Sequence, residues 1–174
     1  MSESHTGVIL KTADEIAIMR EAGRIVAQAH EAMREALRVG ISTAELDKIA
    51  ETVIRDHGAT PVFMGQQRPG APAFPATITA SINEELIHGI PSASRFIKEG
   101  DVVSLDTGCT YQGFVGDAAR TWIVGEAPES VHRLVRVTQE AFFVGFNLCK
   151  PGAEIKDIAR AIQEHIEAHG YGVV

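Results

Sequence analysis

Apolar residues recur at helical spacing in four stretches of this chain, and between the second and third the pattern changes to strands and loops. Thr12-Ala13-Asp14-Glu15 is a capping box, a polar signature that opens helices. The helix it predicts runs to about Leu37, with Ile16, Met19, Val26, Met33 and Leu37 as its apolar face, and Gly40 ends it. A second capping box, Ser42-Thr43-Ala44-Glu45, opens a helix that turns Leu46, Ile49, Val53 and Ile54 inward and closes at Gly58. Ala76–Ile82 alternates weakly and predicts a strand, and Leu86–Ile90 is a short apolar run that stops at Pro91. Val102–Val124 predicts a β-hairpin around Tyr111, Gln112 and Gly113. Helices return at about Glu129–Cys149 and Glu154–His169, with Pro151-Gly152 between them. Residues 1–11 read as a poorly ordered lead-in, and the Gly/Pro-rich stretch 65–75 as a loop.

This pattern repeats. Gly40 and Gly152 are 112 residues apart, as are His57-Gly58 and His169-Gly170. The same offset carries Leu46, Ala50 and Ile54 onto Ile158, Ile162 and Ile166. So long a period predicts a duplicated half-domain rather than a solenoid. The first half covers about residues 12–124 and the start of the second about 125–174 of one domain. The first pair of helices is followed by strands and loop, whereas the chain stops four residues after Gly170. The expectation is a C-terminally truncated chain with its second half incomplete.

Composition narrows the function. With 174 residues and 45% hydrophobic content, the chain can bury a real core. Its net charge of −7 and lack of a basic stripe argue against a DNA partner. No segment approaches a membrane span, and the N-terminal residues lack a signal-peptide core. Cys109 and Cys149 show no metal spacing and read as reduced thiols of a cytoplasmic protein.

The candidate chemistry lies in the hairpin. A two-residue turn at Tyr111-Gln112 pairs Asp106 with Asp117 directly, and one at Gln112-Gly113 makes them diagonal neighbours on one face. A three-residue loop without a bulge would separate them onto opposite faces. Like charges at roughly 5–8 Å repel by on the order of 2–3 kcal/mol, so a hairpin that keeps both calls for a cation between them. Hard divalent ions prefer such oxygen ligands. His88, in an apolar run before Gly89 and Pro91, reads as the end of a strand and could donate to developing charge beside a metal. His165 and His169 form an H-x3-H pair like the metal-binding half of H-E-x-x-H, but Ile166 stands where the glutamate belongs, and His169 beside Gly170 reads first as a helix end that suits the helix dipole. His30-Glu31 reads as a helix-surface pair.

The residues that carry this chemistry also carry a likeness. The lead helix KTADEIAIMREAGRIVAQ, the segment SINEELIHGIP and the hairpin LDTGCTYQGFVGDAART resemble the type I methionine aminopeptidases, a family of pita-bread metallopeptidases. The resemblance implies an α+β fold of two pseudo-symmetric halves, with an antiparallel sheet covered by helices. It implies metal-dependent removal of the initiator methionine from nascent chains, in the cytoplasm and near the ribosome, by an enzyme that is a monomer when full length. Asp106 would chelate one ion and Asp117 would bridge two, the ions being cobalt, manganese, iron or zinc. When bound, they would acidify a water, polarise the scissile carbonyl and hold the free α-amine. His88 would contact the scissile amide, and Phe74 and Thr79 would line the methionine pocket. The family uses five ligands, and a His in a G-H-G segment and two glutamates would have to follow Val174. The loop 65–75 is also several residues longer than the family's usual one. The 174-residue polypeptide is therefore expected to be inactive or crippled. Two rival readings are a non-catalytic pita-bread module that binds peptides, and a proline-directed aminopeptidase or dipeptidase.

Overall fold

The computed structural model describes residues 2–3, 9–67 and 70–173, with backbone only at 2–3. The chain divides into two compact units, Met1–Glu126 and Ala127–Val174. In the first, helices α1 (Ala13–Ala36) and α2 (Thr43–Asp56) form where the two capping boxes predict them. Both boxes are complete: Thr12 and Glu15, and Ser42 and Glu45, satisfy each other's exposed backbone donors. Two short strands, β1 (Ser2–Glu3) and β2 (Ile9–Leu10), pair antiparallel. The remainder of the expected lead-in, residues 1 and 4–8, lies outside the described residues, as do 68 and 69 of the expected loop.

The main sheet is antiparallel and centres on β5 (Val102–Tyr111). Along one edge runs β6 (Phe114–Ile123). The other edge is shared end to end by β4 (Ile78–Ile82), opposite residues 103–107, and β3 (Thr60–Pro61), opposite residues 109 and 110. Alternation sorts the side chains. Val103, Leu105, Ile78, Ala80 and Ile82 point into one core with Ile25, Val26, Met33, Leu46 and Ile54 of the helices. Residues between them on β4, β5 and β6 therefore project from the face opposite α1 and α2. Cys109 is buried and Cys149 exposed, and both are free thiols.

Three readings change. The inward face of α1 is Ala22, Ile25, Val26, Ala29, His30 and Met33, whereas Ile16 and Met19 are exposed. The buried stripe follows the small residues that let the helix lie close to β6. A Cβ on Gly116 would stand 2.6 Å from the Ala22 backbone. His30 is no surface residue: it is 2% exposed, its Nε2 lies 2.8 Å from the Ala118 carbonyl, and its ring packs on Trp122. Burial holds its pKa below the usual imidazole range. Leu86–Ile90 forms no strand, and Leu86, Ile87 and Ile90 are exposed in a loop.

The second unit is a helix pair, α3 (Glu129–Leu148) and α4 (Ile155–Ala168). Like α2, α4 has 14 residues, and the offset of 112 residues maps one onto the other. His57 and His169 cap them in the same backbone conformation.

Candidate active site

The turn decides the geometry of the aspartates. Gln112 and Gly113 occupy its two central positions with φ of 46° and 86°, so Tyr111 pairs with Phe114. In that register Asp106 faces Ala119 and Asp117 faces Gly108, which makes the two carboxylates diagonal neighbours on the face away from the helices. Thr79 faces Asp106 across β4 and β5 on the same side. Gly108 leaves room beside Asp117, since a Cβ there would meet Val62 at 2.7 Å and the Asp117 carboxylate at 3.4 Å.

His88 reaches this face from a loop rather than from a strand end. Its φ of 65° is left-handed, a conformation that non-glycine residues adopt at a cost. Neighbouring contacts hold it there. The Gly89 N–H donates to Ser81 Oγ at 3.2 Å, and the Ala80 N–H donates to the Gly89 carbonyl at 2.8 Å. A Cβ on Gly89 would lie 2.2 Å from the Ala80 oxygen, so only glycine lets the loop dock on β4. Asn83, also left-handed, anchors the start of the loop by hydrogen bonds to Asp101 and to the Val102 N–H. On the far side of β4, the Asp47 carboxylate of α2 accepts from the Thr77 and Ile78 N–H groups at 2.8 and 2.9 Å. Burial raises the pKa of Asp47 despite those bonds.

All five residues singled out from the sequence line one cavity of about 230 Å³: Phe74, Thr79, His88, Asp106 and Asp117. Two more complete it, Phe63 and Gln66. Their place is set by loop hydrogen bonds: Gly65 N–H to the Phe74 carbonyl, Phe74 N–H to the Gln66 carbonyl, and Gln66 Nε2 to the Val62 carbonyl. The rings of Phe63 and Phe74 meet edge to face at 6.5 Å, so the lining of the cavity is aromatic as well as acidic. His165 and His169 belong to the second unit, where they lie beside Glu140.

Metallopeptidase family M24 matches residues 17–174. The chain belongs to this family. Among similar M24 proteins is the methionine aminopeptidase of Clostridium acetobutylicum, 44% identical over 96% of the chain and 65% of that protein. A solved methionine aminopeptidase from Thermotoga maritima has a TM-score of 0.89 at 35% identity, over 96% of the chain and 65% of that structure. An Xaa-Pro dipeptidase from Bacillus anthracis has a TM-score of 0.80 at 30% identity, over 94% of the chain and 43% of that structure. The chain thus spans 65% of the length of such curated methionine aminopeptidase relatives, that of Bacillus subtilis among them. The fold is the α+β pita-bread fold of these M24 enzymes.

An M24 metallopeptidase implies a divalent metal, and the aspartate pair fits one. Asp106 Oδ1 is buried without a hydrogen-bond partner, an acceptor that lacks a cation or donor. Burial and the neighbouring Asp117 charge raise the Asp106 pKa to about 6. A positive ion between the two carboxylates would remove both penalties.

Proposed function

We propose that the chain carries the methionine-recognising half of a methionine aminopeptidase site, which hydrolyses the bond after an N-terminal methionine. The observation that carries this reading is the convergence of Asp106, Asp117, His88, Thr79 and Phe74 on one small cavity. About 230 Å³ is below the usual range for drug-sized ligands and suits a single side chain. The Phe63–Phe74 wall supplies the apolar contact that an unbranched thioether needs, and thioethers also favour aromatic edges. Asp106 and Asp117 would hold the divalent ions, two per site and of the cobalt, manganese, iron or zinc class. When bound, such ions lower the pKa of water and polarise the scissile carbonyl. His88, fixed by the docking of Gly89 on β4, would donate to the scissile amide and steady the developing charge. Thr79, directly opposite Asp106, would border the bound side chain.

The substrates in this reading are newly made chains that still carry their first methionine, encountered in the cytoplasm near the ribosome. Among the described residues no helix is long and apolar enough to cross a membrane. The repeat of 112 residues supports one domain with its halves at about 12–124 and 125–174. Turnover by the 174-residue polypeptide is expected to be weak, because two carboxylates hold a pair of ions loosely.

The test uses this polypeptide at high concentration with manganese and a Met-Ala-Ser peptide, following free methionine. The expected result is slow release, well below about 1 s⁻¹, that is lost in Asp117→Asn and reduced at least about tenfold in His88→Ala. Faster cleavage of Ala-Pro than of Met-Ala-Ser would replace this reading with the dipeptidase one. Metal-independent peptide binding without any methionine release would favour the non-catalytic module.

A further inference from the structure

Glu140, His165 and His169 are, among the described residues, the one group of three side chains whose ligand atoms all lie within 4.8 Å of each other. We propose that they form a second transition-metal site, of the zinc class, that ties the end of α4 to α3. The two histidines are four residues apart, at the last turn and the C-cap of α4, so their rings share one helix face with centroids 4.6 Å apart. His169 Nδ1 donates to the His165 carbonyl at 2.7 Å, which leaves Nε2 as the nitrogen with a free lone pair. A backbone carbonyl holding the far ring nitrogen is the usual support for a ligating imidazole. His165 Nε2 is buried and makes no hydrogen bond. The nearest carboxylate oxygen, Glu140 Oε2, stands 3.5 Å away. Tetrahedral zinc with bonds of about 2.0–2.2 Å sets its ligands roughly 3.3–3.6 Å apart. The Glu140–His165 separation already meets this, and the others, at most 4.8 Å, would have to shorten by about 1 Å as the ion binds. Two imidazoles and one carboxylate match the preferences of zinc and leave a fourth position for water.

The first half of the chain supplies an internal control. His57 caps α2 in the same way, its Nδ1 2.8 Å from the Val53 carbonyl. At the offset of 112, however, Val53 stands for His165 and Gln28 for Glu140. The capping histidine is thus common to both copies, and the two partners that make it a ligand set belong to the second alone. A direct polar pair between His165 and Glu140, with no ion between them, is the competing account.

The experiment separates this site from the aspartate pair by using the full 174-residue chain with Asp106→Asn and Asp117→Asn. Calorimetric titration with zinc chloride is expected to show about one equivalent bound at roughly micromolar Kd or tighter, with a rise in thermal midpoint. Long-range nitrogen NMR should show the His165 and His169 ring nitrogens shifting with zinc. Adding His169→Gln or Glu140→Gln should weaken binding by at least about tenfold. Glu140 is a half-exposed side chain, so that variant keeps its fold even if a histidine variant does not. No zinc uptake in the double-asparagine chain, or uptake unchanged by Glu140→Gln and His169→Gln, would overturn the proposal.

Discussion

Asp106 is where charge and burial meet most sharply. In the metal-free chain its folded pKa of about 6 exceeds the ordinary value of 3.8, so the folded state binds more protons between those limits. Stability contributed at this position is therefore greatest at low pH and falls as pH rises from about 4 to about 6. The site is half-buried, so solvent screening leaves an effect of about 1 kcal/mol. Urea denaturation in EDTA should show this decline for the native chain and a flatter profile for Asp106→Asn. Manganese should raise the midpoint of the native chain at pH 7 and leave Asp106→Asn nearly unmoved. The aspartates were legible in the sequence because a short hairpin turn fixes which face each residue takes. His30 was not, because its burial depends on Ala118 and Trp122, some 90 residues on. Phe63 and Gln66 were equally hidden, being placed by hydrogen bonds within an irregular loop that no periodicity reports.

Elements whose signals are local read correctly: both capping boxes, the hairpin and all four helices. Ser42→Ala should therefore cost about 1 kcal/mol, since its hydroxyl accepts from the Glu45 N–H at 3.2 Å. Elements that depend on close approach did not read. Nothing in GFVGDA announces that Gly116 lies against the backbone of α1. Gly116→Ala should destabilise the first unit by roughly 2–3 kcal/mol in a urea melt, because the obstructing atoms are backbone and cannot rotate away. The apolar run Leu86–Ile90 looked like a strand, yet its side chains face solvent while its glycine makes the β4 contact. Gly89→Ala should shift the His88 ring resonances and reduce methionine release while leaving the melting midpoint less changed than Gly116→Ala does.

At the scale of the whole chain, the two units differ in how fully they bury their apolar surface. The first has a dense core, whereas the helices of the second leave Phe142, Phe143, Phe146 and Ile155 between 50 and 85% exposed. Phe142 and Phe146 stack on one another, forming a continuous aromatic patch. The 174-residue chain should bind the dye ANS and associate as its concentration rises, and Phe142→Ser with Phe146→Ser should reduce both, as seen by sedimentation. The hairpin of β5 and β6 bears on the order of folding. Asp106 and Asp117 are brought together by a single two-residue turn, whereas Thr79 must find Asp106 across a separation of 27 residues in sequence. Isolated hairpins form in about 1–10 μs, ahead of most long-range pairings. The two carboxylates can thus meet while most of the chain is still unfolded, so an ion that favours their proximity would act as a nucleus for the sheet as well as a guest in the finished protein.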